Sequence, residues 1–197
     1  MIMDNSKESL DQITLAHDRG QTAVVVELCK KHERKFSKDG FARLWYAMAQ
    51  IDLARYGEAE KAIRQAIKLL PQKVVAIAYV QMGHLFKAKG DFKHAAFWYR
   101  KASNHKPRST TYHIFLGSNA FQRGLLKQAE IHYRRALKCS GDCLDEAYFN
   151  LGGILLGKRN YSGAIKCYQE ALKIDPKYKI AKERLDDAKL ALLIANS

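Results

Sequence analysis

Residues 147–176 read AYFNLGGILLGKRNYSGAIKCYQEALKIDP, and the spacing of their small and aromatic residues decides the fold. Tyr148, Leu151, Gly152 and Leu155 fall at helical intervals on one stripe. A second stripe runs Tyr161, Ala164, Tyr168, Ala171 and Leu172, and Asp175-Pro176 closes it. Two amphipathic helices joined by a short turn satisfy this pattern. The small residues Gly152, Ala164 and Ala171 stand twelve and then seven residues apart. Gly117, Ala129 and Ala136 repeat that spacing 35 residues earlier, and Gly83, Ala95 and Ala102 repeat it 34 residues before those. A period of this length marks stacked supersecondary units. Small residues facing one another on successive helices let the backbones approach closely.

Outward from this stretch the same unit recurs with decreasing fidelity. In the unit at 76–109, Tyr79, Met82, Gly83 and Phe86 share one face, Gly90 breaks the helix, and Phe92, Ala95, Ala96, Tyr99 and Ala102 form the second stripe. In 110–144 the residues are Leu116, Gly117 and Ala120, a break at Gly124, then Leu126, Ala129, Tyr133, Ala136 and Leu137. The unit at 40–75 keeps Tyr56, Ala59, Ala66 and Pro71 on its second helix. Strict spacing makes Ala47 its first small residue, which buries Arg43 and exposes Trp45 and Met48. A turn shortened by two residues instead buries Leu44, Trp45, Met48, Ala49 and Ile51, and the burial of Trp and Met favours it. Residues 4–39 read as a degenerate first repeat, with Leu10, Ile13 and Ala16 on one stripe, a break at Gly20, and an apolar segment from Ala23 to Cys29. Val24, Val25 and Val26 alone allow a strand, but their helical neighbourhood favours a helix. Residues 179–197 form one more amphipathic helix, with Ala181, Leu185, Ala188 and Leu192 on a face that caps the stack.

These residues resemble the tetratricopeptide repeat family, almost throughout 147–176 and strongly in 76–107 and 110–141. The family pattern of an aromatic, Leu-Gly and a large residue, then aromatic, Ala, aromatic, Ala and Pro, falls on Tyr148, Leu151-Gly152, Leu155, Tyr161, Ala164, Tyr168, Ala171 and Pro176. The unit before it departs by ending at Gly141 instead of Pro. The resemblance implies an all-α right-handed solenoid forming a single domain over 1–197. Its first helices line a concave groove and its second helices form the convex side.

The composition fits such a domain: 47% of residues are hydrophobic, enough for a core, and the three prolines punctuate units. The N-terminal MIMDNSKESLD lacks a basic start followed by an apolar run, so we expect no secretory signal and a cytoplasmic location. The longest apolar stretch, Val74 to Val80, is too short to span a bilayer. Cys139 and Cys143 stand four residues apart, and no second ligand pair accompanies them. We read them as two thiols, with a disulfide or half a metal site as the alternatives. Net charge is +14, with 1–39 balanced, 76–109 carrying +6 and 145–197 only +2. The middle units therefore hold the basic excess, which attracts acidic protein segments, nucleic acid or anionic lipid, or is simply a solvated surface.

By the resemblance, the groove residues are Arg43, Tyr46 and Gln50; Val80, Gln81, His84 and Lys87; Thr111, Ile114, Phe115, Ser118, Phe121 and Gln122; and Phe149, Asn150 and Gly153. An apolar floor with hydrogen-bonding sides suits an extended or helical peptide. Relatives that clamp a chaperone's terminal carboxylate present Lys, Asn and Arg there. Among Val80, Gln81, Ile114, Phe115, Phe149 and Asn150 only Asn150 fits, so no such clamp is expected. On the convex side Arg64, then Lys93, Arg100 and Lys101, then Lys127, Arg134 and Arg135 form a basic stripe, with Phe97 and Ile131 inside it at equivalent positions. The histidines lack metal-ligand spacing, and no phosphate loop, nucleophile motif or paired-carboxylate signature is present. The expectation is a non-catalytic, cofactor-free scaffold for a protein partner, acidic overall, in the groove. A nucleic-acid adaptor using the convex stripe is the alternative, and self-association through Phe97 and Ile131 or the tail Leu190 to Ile194 is the third reading.

Overall fold

The computed structural model describes residues 2–139 and 141–196, with side chains from Asn5 onward. Among them eleven helices follow in order: α1 (Ile2–Asp18), α2 (Thr22–Lys35), α3 (Gly40–Asp52), α4 (Tyr56–Leu69), α5 (Ala76–Ala88), α6 (Phe92–His105), α7 (Thr110–Gln122), α8 (Leu126–Ala136), α9 (Leu144–Gly157), α10 (Tyr161–Ile174) and α11 (Lys179–Asn196). They fall into two compact units, Met1–His105 and Lys106–Ser197. In the first, α1 packs on α2, α3 on α4 and α5 on α6. In the second, α7 packs on α8 and α9 on α10, and α11 lies against α10 through Ala181, Leu185 and Ala188. This is the all-helical stacked-pair architecture of a tetratricopeptide-like solenoid. Val24–Val26 lie within α2, where Val25 and Val26 are buried with Ile13, Ala16 and Cys29. Tertiary burial overrides their β preference.

The recurrent glycine makes room for a ring rather than for a facing alanine. A Cβ on Gly117 would lie 2.6 Å from Tyr133 Cε1, one on Gly152 would lie 2.7 Å from Tyr168 Cε1, and Gly83 meets Tyr99 in the same way. Each tyrosine stands sixteen residues after its glycine and is buried. The corresponding pair in α3 and α4 is Ala47 and Ile63, both fully buried. The slimmer aliphatic chain leaves space for the alanine methyl. The other two small positions (Ala59 and Ala66, Ala95 and Ala102, Ala129 and Ala136, Ala164 and Ala171) have no exposed surface at all.

This pairing corrects the register expected for the second repeat. α3 and α4 stand 36 residues before α5 and α6 at both of their ends, so the turn is not shortened. Ala47 is the small residue, and Ala54 takes the turn position of Gly90, with φ of +56° against +75°. Trp45 is half-buried because α1 covers it: the His17 ring lies 4.8 Å from it, centroid to centroid, and it packs on the cluster of Ile13, Ala16, Val25 and Val26.

An L-residue in the left-handed region costs about 1 kcal/mol, so Ala54→Gly is expected to raise the urea-unfolding free energy by about that amount. Gly152→Ala forces the Tyr168 ring to move and is expected to lower it by about 2 kcal/mol. Adding Tyr168→Ile, which copies the Ala47 and Ile63 pair, should then show a favourable coupling of about 1 kcal/mol in a double-mutant cycle.

Candidate functional site

In the second unit, one surface is formed by the first helix of each pair, α7 and α9. Of the residues expected to line it, Thr111, Phe115, Ser118, Phe149 and Asn150 are half-buried, and Phe121, Gln122 and Gly153 are exposed. Ile114 is a correction. It is 1% exposed and belongs to the core cluster with Ala120, Ala129, Ala147 and Leu151, so it faces inward and cannot touch a ligand. A residue outside the expected set joins the surface: the Tyr178 ring lies 5.0 Å from Phe149, which also packs on Tyr168 at 5.9 Å. The only cue in the sequence is an aromatic just after Pro176. The α7 segment TTYHIFLGSNAFQ carries no charged residue, and α9 begins with Asp145 and Glu146. Burial, then those two carboxylates and Asp175, raise the Tyr178 phenol.

In the first unit the register shift moves part of the expected site. Arg43, Tyr46 and Gln50 do not lie with Val80, Gln81, His84 and Lys87. Arg43 and Tyr46 line a notch of about 380 Å³ whose walls come from α2, α3 and α4. Arg43 occupies the position that Tyr79 and Tyr148 hold in their own helices, four residues before the small residue. Its guanidinium ties three segments together: Nη1 donates to Gln65 Oε1 at 2.7 Å and Nη2 to the Ser37 carbonyl at 3.0 Å, and Nη1 lies 2.8 Å from Glu33 Oε1. Tyr46 and the buried Gln50 both donate to Glu58 Oε2, at 2.8 and 2.9 Å. The α3 residues equivalent to Val80, Gln81, His84 and Lys87 are Leu44, Trp45, Met48 and Ile51. Val80 is itself buried, as is Leu44, while Phe41 and Ile77 are exposed at equivalent positions.

The second helices carry the cations. In the first unit these are Lys30, Lys31, Arg34 and Lys35 on α2, Lys61, Arg64 and Lys68 on α4, and Lys93, Arg100 and Lys101 on α6; in the second they are Lys127, Arg134 and Arg135 on α8, and Lys166 and Lys173 on α10. All of these are exposed. The first helices α3 and α5 hold one cation each, and α7 and α9 none. The basic excess and the apolar first-helix surface are therefore on different faces. Phe97 and Ile131 are each about half exposed, as the sequence led us to expect. Cys139 and Cys143 are free thiols. Among the described residues no helix is long and apolar enough to cross a membrane.

One polar chain has the order of a hydrolytic relay. Ser9 Oγ lies 3.0 Å from His32 Nδ1, and His32 Nε2 lies 3.1 Å from Asp39 Oδ2. Its role is structural. Ser9 sits in the middle of α1, where neighbouring N–H groups are already bonded within the helix, leaving no donors for an oxyanion. Asp39 Oδ1 also caps α3 by accepting from Phe41 N and Ala42 N. The buried His32 thus connects α1 to the α3 cap.

Comparison with known proteins agrees with this architecture. Tetratricopeptide repeat profiles match residues 145–178 and residues 42–73 and 76–107. Over 119 residues, 60% of the chain, it is 29% identical to tetratricopeptide repeat protein 12 of Mus musculus. The match spans 17% of that mouse protein's length. Among solved structures, a thermophilic TPR protein of Thermus thermophilus superposes with a TM-score of 0.69 at 21% identity, covering 94% of this chain and 99% of that one. YrrB superposes with a TM-score of 0.60 at 15% identity, covering 93% of this chain and 96% of its own. At these identities the structural likeness shows the fold.

In two repeats the residue after the small glycine links core and surface. His84 Nδ1 meets Tyr99 Oη at 2.9 Å, and Ser118 Oγ meets Tyr133 Oη at 3.2 Å. Burial, and secondarily Lys87, lowers the His84 pKa to about 4, so the ring is neutral at pH 7. Since the unfolded value lies near 6.5, the unfolded chain binds the extra proton first as pH falls. This contribution to stability is complete above about pH 6.5 and is lost toward pH 4. Between about pH 7 and pH 4.5 the wild type should lose about 1–2 kcal/mol more unfolding free energy than His84→Gln, measured by urea titration at each pH.

Proposed function

The chain is a tetratricopeptide repeat protein, and we propose that the first-helix face of its second unit holds an apolar segment of a partner protein. Repeats of this family typically mediate protein–protein interactions. The observation that carries the finer reading is the uncharged α7 surface, on which Phe115 and Phe121 accompany Ser118 and Gln122, with Phe149, Asn150 and Tyr178 beside it. Aromatic side chains supply buried area, and the amide and hydroxyl groups fix the register of a bound backbone. With so little charge, affinity comes from apolar burial and responds weakly to salt. YrrB, a fold relative, is described as a TPR protein with an unusual peptide-binding site, which is in keeping with peptide recognition on this architecture.

Selection of phage-displayed peptides on the intact chain tests this. The expected ligands carry two or more large apolar residues. Their affinity should fall by about tenfold or more with Phe121→Asp and change by less than about threefold between roughly 50 and 300 mM salt. Phe121 is half exposed, so circular dichroism should show an unchanged fold. Carboxylate-rich ligands that bind the Phe121→Asp variant as well as wild type would overturn the reading.

A further inference from the structure

We propose that the outer face of α6 is a second docking surface, and that it receives a carboxylate-rich protein segment bearing a large apolar side chain. Lys93, Phe97, Arg100 and Lys101 stand at helical intervals of four, three and one, forming one exposed stripe opposite the buried Ala95, Ala96, Tyr99 and Ala102. Helix α6 contains no Asp or Glu. The carboxylate just before it, Asp91, is engaged by His94, whose Nδ1 lies 2.6 Å and whose backbone N lies 3.1 Å from its two oxygens. Among the described residues no ion pair joins Lys93, Arg100 or Lys101 to a carboxylate. Lys101 is held instead over aromatic faces, its Nζ 4.5 Å from the Tyr79 centroid and 5.2 Å from that of Trp98. Three cations thus surround Phe97, which leaves 54% of its surface in water. Trp98 extends the apolar ground, its ring 5.3 Å away.

The corresponding helix of the second unit lacks this combination. On α8, Ile131 is similarly exposed, but Glu130 holds Arg134 at 2.8 Å and Lys158 at 2.6 Å, and those contacts lower its pKa. That face carries a carboxylate of its own, which pairs with one of its cations. The α6 face does not, so charge complementarity selects an acidic occupant and Phe97 selects one with an apolar anchor. A protein segment fits better than a nucleic acid. The Phe97 and Trp98 rings meet edge to face at 83°, which offers no pair of parallel platforms for successive bases.

The test uses the intact chain and three fluorescent probes: a synthetic Asp/Glu peptide containing a single Phe, the same peptide with Ser in place of Phe, and single-stranded oligo-dT. The Phe peptide should bind about tenfold more tightly than its Ser counterpart. Phe97→Ser should abolish that difference, and Arg100→Glu should weaken both peptides by about fivefold or more. Phe121→Asp should leave all three affinities unchanged, which separates this surface from the first-helix face. Both new variants alter exposed positions, and Arg100→Glu alone still decides the outcome should Phe97→Ser fail to fold. An affinity indifferent to Phe97→Ser and Arg100→Glu, oligo-dT binding tighter than the Phe peptide, or no peptide binding at about millimolar concentration would overturn the proposal.

Discussion

A tyrosine pressed against a glycine is the contact on which most of the helix pairs depend. It sets how closely the second helix of a repeat approaches the first at Gly83 and Tyr99, Gly117 and Tyr133, and Gly152 and Tyr168. The two residues constrain each other by volume. A methyl group at the glycine forces the ring away, and a thinner side chain at the tyrosine permits the methyl, which is why Ala47 and Ile63 coexist in α3 and α4. The alanines seven residues apart on the second helix then serve the remaining close approaches. The period of the sequence is the period of this volume constraint.

That constraint explains what the sequence revealed and what it hid. Three helix pairs were legible because Gly, Tyr and the paired alanines all appear at fixed intervals. The second repeat was misread by two residues because Ala47 and Ile63 carry no such signature, and the large Trp45 drew the register toward itself. Trp45 is covered by His17 of α1, 28 residues earlier in the chain, and local periodicity carries no information about that contact. The error then moved the candidate site: Arg43, Tyr46 and Gln50 were assigned to the first-helix face, whereas Arg43 and Tyr46 line the notch bounded by α2 and α4. Ile114 failed for a different reason. A flanking position becomes core wherever neighbouring helices close over it, and its burial with Ala147 and Leu151 comes from the α9 helix.

Charge is divided between the two kinds of helix. First helices pack on neighbours on several sides and have little solvated surface for ionic groups, so α7 carries none. Second helices keep one broad face in water, and there lysine and arginine cost little to solvate. Net charge summed along the chain merges the two faces, and the expectation of an acidic partner in the groove rests on that sum. On our proposals the two kinds of face take different ligands: an apolar segment on α7 and α9, and an acidic segment with an apolar anchor on α6.

The residue after the small position carries the connection between scaffold and surface. His84 and Ser118 each engage the hydroxyl of the buried tyrosine while lying among the first-helix surface residues. At the third such position Gly153 is exposed, and a Cβ added there would meet only Tyr168 Oη, at 3.9 Å. This position can therefore vary in size and polarity without disturbing the ring against the glycine, because only the hydroxyl end of the tyrosine is involved. The fold is fixed by the ring and the small residue beneath it. Chemical variety at the surface is carried by the next residue along, one peptide bond away.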